Sequence, residues 1–170
     1  MSDSRDGAVD ALARAGRAFS IGRWADALEA YEEALSLDDK SVEARAQAGR
    51  CRLRLGRGSE AADDLEAAIE RDPNRAEAFA GMGLLYIRNR AYQMAKTALE
   101  RAVELEPLEP SLAGARNNLA IVYCYFGDYE RAADELDAAS NLGYPVDPSF
   151  REKLVQQIIG QRQAHQEEPS

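Results

Sequence analysis

One spacing of small and large apolar residues recurs along the chain. An alanine is followed four positions on by a large apolar residue and seven positions on by a second alanine: Ala27/Tyr31/Ala34, Ala61/Leu65/Ala68, Ala95/Leu99/Ala102 and Ala132/Leu136/Ala139. Residues seven apart share one helical face, two turns along. Ala27, Ala61 and Ala95 are 34 residues apart, and Ala132 follows after 37. Twelve residues before each first alanine stands another small residue: Ala15, Gly49, Gly83 and Ala120. Small residues let helices approach closely, and the Leu or Tyr between the alanines fills the gap. Breakers fall between the stripes at Gly22, Gly56-Arg57-Gly58, Asn89 and Gly127, and Pro73 and Pro107 end two units. The pattern predicts helices over 8–21, 24–37, 41–55, 59–71, 75–89, 92–105, 111–126 and 129–141. A helix pair of this kind cannot bury its own apolar face, so the pairs must stack on one another.

The three extra residues fall at Pro107-Leu108-Glu109-Pro110-Ser111-Leu112. They predict a broken turn and an earlier start and longer run for the helix that follows. Beyond Gly143-Tyr144-Pro145, a segment over 147–162 carries Phe150, Leu154, Val155, Ile158 and Ile159 on one stripe. It reads as a capping helix, with dimerisation as the alternative. The domain reading is a flexible 1–7, four repeats over 8–144 (8–41, 42–75, 76–109, 113–144), a cap over 145–163 and a disordered tail over 164–170.

These residues resemble the tetratricopeptide repeat. Repeat three matches best, with Phe79, Met82, Gly83, Tyr86, Ala95, Leu99, Ala102 and Pro107. Repeat four matches through Leu119, Ala120, Tyr123 and Gly127, with Tyr144 in place of Pro. Repeat two puts Arg45 and Arg52 where aromatics are usual, and repeat one puts Ala11 and Ala18 there. The resemblance spans about Ala8 to Tyr144. It implies an all-α fold, a right-handed superhelix of antiparallel helix pairs (an α-solenoid), and a partner protein bound on the concave side lined by the first helices.

Composition narrows the chemistry. Of 170 residues, 30 are Asp or Glu and 21 are Lys or Arg, for a net charge of −9. An acidic surface argues against nucleic acid. No apolar run reaches the ~20 residues that span a bilayer, so no membrane insertion is expected. The first residues lack a leader pattern, which predicts a cytoplasmic protein. The preference for Arg and Ala suggests a bacterial source. Cys51 and Cys124 stand far apart, and His165 is the single histidine. Neither a zinc set nor a Cys-His pair is indicated, and no phosphate-binding loop is present. No catalytic residue, cofactor or metal is predicted, and the chain reads as no enzyme.

The implied groove carries Leu12 and Phe19 from repeat one, Arg50, Leu53 and Arg54 from repeat two, Leu84, Ile87 and Arg88 from repeat three, and Asn117, Asn118, Ile121 and Tyr125 from repeat four. Ala13, Gly16, Ala46, Ala80 and Gly81 make its floor small. The apolar members offer contact surface, the asparagines can bond a peptide backbone both ways, and the arginines suit acidic residues. In the opposing reading, Arg50, Arg54 and Arg88 merely pair with acids such as Glu43 and Glu77. The Lys/Asn/Asn/Lys/Arg set by which some relatives clamp chaperone C-termini is missing: its first Lys would fall at Leu12 or Ala46, its Asn at Gly16 or Arg50, and its later Lys at Glu77 or Gly114. The expected function is an adaptor, a monomer or alternatively a homodimer, holding a segment or loop with apolar anchors and acidic residues. A chaperone-like carrier for a secreted or assembling protein, or a self-associating structural subunit, are the alternatives.

Overall fold

The computed structural model describes residues 2–167, with side chains over 5–164. Among them the chain is all helical. Four pairs follow in order: α1 (Ser2–Ser20) with α2 (Trp24–Leu37), α3 (Val42–Arg54) with α4 (Gly58–Arg71), α5 (Ala76–Arg88) with α6 (Tyr92–Leu105), and α7 (Ala113–Tyr125) with α8 (Tyr129–Asn141). The last helix, α9 (Pro148–Glu167), packs on α8. Each pair packs within itself, and each first helix also packs on the second helix of the preceding pair.

The alanine stripes are the seams. Ala27, Ala61, Ala68, Ala95, Ala102, Ala132 and Ala139 are fully buried. At the small position of the first helices, contact is tighter than a methyl group allows. A Cβ on Gly83 would stand 2.4 Å from Leu99 Cγ, and one on Gly49 would stand 2.9 Å from Leu65 Cγ. The same Leu65 reaches the next unit, where a Cβ on Gly81 would stand 2.6 Å from its Cδ2. Gly81 is therefore small to admit Leu65, and Ala46 and Ala80 are likewise buried, so these small residues serve the packing between helices.

The turns inside the pairs repeat one conformation. Gly22, Gly56 and Gly127 have φ of 77°, 80° and 75°, and repeat three puts Arg90 at the matching position with φ 58°. A Cβ there crowds the following carbonyl, which costs roughly 1 kcal/mol.

Several boundaries differ from those read in the sequence. α1 starts at Ser2 rather than 8, and it meets the last turn of α2 at Gly7, where a Cβ would lie 3.2 Å from Leu37 Cδ1. The insertion does not lengthen α7, which has the same 13 residues as α3 and α5. Its residues form a 3₁₀ turn, Pro110–Leu112, held by the Glu109 carboxylate accepting from the Ser111 N–H at 3.2 Å and anchored by the buried Leu112. α9 continues through 164–167, where a disordered tail was expected; Gln161 donates to the Gly127 carbonyl at 2.9 Å and Arg162 pairs with Glu130 at 2.8 Å just upstream. Residues 168–170 of that tail and residue 1 lie outside the described residues. The stripe of α9 also splits. Leu154 is buried, and Phe150 and Ile158 pack on the core, but Val155 and Ile159 stay exposed.

Two outcomes follow from the glycine geometry. Gly83→Ala should destabilise by ~1–3 kcal/mol despite alanine's helical preference, whereas Gly16→Ala, with nothing within 4 Å of the new methyl, should stabilise by ~0.5–1 kcal/mol. Urea melts of both variants check the opposite signs. Arg90→Gly should raise stability by about 0.5–1 kcal/mol by removing the left-handed Cβ penalty, read as a shift in the urea midpoint at unchanged slope.

Candidate protein-interaction site

The first helices α3, α5 and α7 lie side by side and present one continuous face. A narrow cleft of about 30 Å³ in this face is lined by Arg50, Arg54, Leu84, Gly114 and Asn118, with Ala80, Gly81 and Ala115 at its base. Four of the sequence-predicted residues thus meet in one place. Farther along, Asn117 and Ile121 share a cavity of about 280 Å³ with Tyr144, Pro145, Asp147 and Phe150 from the lead into α9.

The arginines are held, but not by carboxylates. The Arg50 guanidinium lies 4.9 Å from the Phe19 ring centroid and donates to the Gln47 amide oxygen at 3.0 Å. Desolvation lowers its pKa below the ordinary guanidinium value, opposed by the field of Glu77. Arg54 lies 5.4 Å from the Trp24 ring, which itself stands edge-on to Phe19 at 5.0 Å. Arg88 donates to the backbone carbonyl of Leu53. Among the described residues none of the three forms an ion pair, so the expected alternative of pairing with Glu43 or Glu77 does not occur. Glu77 instead faces Arg75 at 3.7 Å.

Asn117 and Asn118 are half-buried, and neither side chain makes a hydrogen bond among the described residues. Ile121 is 42% exposed. Leu12, Leu84 and Ile87 are half-buried against the core, with Leu84 alone of the three in the cleft.

Two expectations need correction. Leu53 is fully buried in the core with Leu65, Met82 and Leu85 and offers a partner nothing. It lies on the side of α3 that receives the next pair. Tyr125 is 63% exposed but turns away from the cleft, stacking on Tyr92 at 4.0 Å. There it lines a separate cavity of about 400 Å³ with Arg90, Met94 and Phe126.

A larger cavity was missed. About 520 Å³ lies between the second helices α4 and α6, with Phe79, Met82 and Tyr86 of α5 as its floor. The repeat alignment held a signal for it. The position of Phe79 is Arg45 one unit earlier and Arg116 one unit later, and that of Ala98 is Asp64 and Glu135.

Tandem helix pairs with an extended shared face define an α-solenoid. A tetratricopeptide-repeat profile matches residues 18–85 and a second matches 76–107, together covering more than half of the chain. The chain belongs to the tetratricopeptide-repeat family, whose right-handed superhelix is a general protein-interaction module. No curated protein matches it. Among solved structures it is similar to pilF of Pseudomonas aeruginosa (17% identity, 95% of this chain and 72% of that one, TM-score 0.73). It is also similar to a thermophilic TPR protein of Thermus thermophilus (21%, 91% and 82%, 0.69). The first TPR of Spaghetti, bound to an HSP90 peptide, is a third (20%, 71% and 94%, 0.59). At these identities the likeness concerns the fold. Among the described residues no helix is long and apolar enough to cross a membrane.

The thiols provide a probe of this face. Cys51 is fully buried, and burial pushes its thiol up to about 11, whereas Cys124 is only half-buried on α7 with a smaller rise from the same cause. A thiol reagent at pH 8 should modify Cys124 slowly, faster as pH rises, and leave Cys51 intact until the chain unfolds. Peptide mapping after native and denatured labelling checks the order.

Proposed function

We propose that this chain is a non-enzymatic, cytoplasmic adaptor that holds a segment of another protein along the face shared by α3, α5 and α7. One observation carries the reading: Arg50, Arg54 and Arg88 stand on that face without a carboxylate partner, in a protein of net charge −9. Nearby acids are available, yet the guanidiniums rest on aromatic rings and a carbonyl, which leaves their charge for an incoming acid. The unbonded amides of Asn117 and Asn118 supply donors and acceptors for a peptide backbone. Leu84 and Ile121 supply apolar contact. The partner segment therefore carries acidic residues beside apolar anchors. The Spaghetti domain holds a peptide on the same fold, but the basic clamp implied by the family for chaperone tails is missing here, so the ligand differs. The adaptor works as a monomer.

Arg54 and Asn118 are the informative pair, because Arg88 also supports the Leu53 carbonyl. Arg54→Glu combined with Asn118→Ala should weaken binding of an acidic, apolar-anchored synthetic peptide by about ten-fold or more, while the exposed α2 substitution Glu29→Lys should not. Calorimetric titration reads the affinities, and circular dichroism confirms unchanged helix content. Equal affinities for all three proteins would remove this face as the site.

A further inference from the structure

The three seams between successive second helices occupy equivalent positions, yet one is built differently. Between α2 and α4 the seam is filled by charge. Arg52 pairs with Asp64 and, at 2.7 Å, with Glu32, and Arg45 lies 3.6 Å from Asp64. Between α6 and α8, Arg116 pairs with Glu135 at 2.6 Å, and Glu100 accepts from the Tyr123 hydroxyl at 2.7 Å. Between α4 and α6 the same positions hold Phe79 for the arginine and Ala98 for the acid. Among the described residues no ion pair crosses to fill the space, and a slot of about 520 Å³ remains. Burial cannot explain this. In both flanking seams Arg–acid pairs occupy that space.

The slot has the dimensions of a helix-binding groove. Its floor runs from Phe79 to Tyr86 and its α6 wall from Met94 to Arg101, about 10 Å or two helical turns each. Ile69 forms the opposite wall on α4. At one end Met94, 53% exposed, also lines the cavity of Tyr92, Tyr125 and Phe126, so the apolar surface continues beyond the slot. That length suits a polypeptide better than a compact small molecule. The charge beside the slot narrows its composition. Glu66 and Glu70 on α4 flank the wall residue Ile69 in sequence, Glu104 on α6 follows Arg101 by one turn, and all three are exposed and make no ion pair or hydrogen bond among the described residues. Arg101 is the cation of the lining, and it donates to the Asn74 side chain at 3.2 Å.

We infer that the α4–α6 slot is a second docking site, for an amphipathic helical segment of a partner protein with bulky apolar anchors at i, i+4 and i+7 and lysines or arginines flanking them. The anchors enter between Ile69 and Met94 onto Phe79, Met82 and Tyr86. The flanking cations meet the carboxylates of α4. This site takes a basic segment, opposite in charge to the ligand of the arginine-lined face, and the two are independent.

The test uses the full chain and three fluorescein-labelled synthetic helical peptides: leucine-anchored with lysine flanks, leucine-anchored with glutamate flanks, and serine at the anchors with lysine flanks. The lysine–leucine peptide should bind at least about ten-fold tighter than either other peptide. Its binding should shift the ¹³C-methyl resonances of Met82 and Met94. The double variant Phe79→Arg/Ala98→Glu copies the pair of the flanking seams into the slot and should abolish binding. Met94→Asp, a surface change that leaves the seam intact, should weaken it about ten-fold, as should Glu66→Lys with Glu70→Lys at low salt. Equal binding of the three peptides, unmoved methionine methyls on binding, or full affinity in both the seam-copy and Met94→Asp variants would overturn the inference.

Discussion

The array depends on leucines packed against helix backbone. Leu65 and Leu99 sit where a Cβ would stand on Gly49 and Gly83, so paired helices approach more closely than alanine permits. Leu65 does this twice, closing its own unit against Gly49 and the next unit against Gly81. A single side chain therefore joins tertiary structure within a repeat to stacking between repeats. That coupling makes neighbouring units stand or fall together, the nearest-neighbour cooperativity of a solenoid. It also fixes which side of each first helix is left for partners. Residues turned toward the following pair, such as Leu53, are consumed by stacking, while Arg54 and Asn118 remain available.

The helices were legible because the seam needs small residues at a strict spacing, and a 34-residue recurrence of that spacing has one structural meaning. The insertion was harder. Pro110 and the buried Leu112 turn the extra residues into a 3₁₀ step, which depends on a pocket in the neighbouring core rather than on local preference. The site was partly legible. Helical phase brought Arg50, Arg54, Leu84 and Asn118 together correctly. It failed for Leu53 and Tyr125, because periodicity gives a direction from the helix axis but not what lies there. An adjacent helix covers Leu53, and Tyr92 draws Tyr125 aside.

The two faces have contrasting electrostatics. On the first-helix side Arg50, Arg54 and Arg88 lack a paired acid, and beside the α4–α6 slot Glu66 and Glu70 lack a paired cation, among the described residues. A chain with 30 acidic and 21 basic residues could have neutralised its arginines locally. It keeps Arg50 and Arg54 against aromatic rings instead, and desolvation lowers the pKa of Arg50. Separated charge of this kind orients partners before contact and discourages one ligand from occupying the other's place.

The alternation of seam chemistry also has a mechanical consequence. The outer joints of the spiral are clasped by ion pairs, and the central joint between α4 and α6 has no ion-pair clasp among the described residues. Charge clasps slacken as ionic strength rises, whereas apolar contact slackens on cooling. Solution conditions therefore act on different joints of the same array, salt on the outer two and temperature on the middle one.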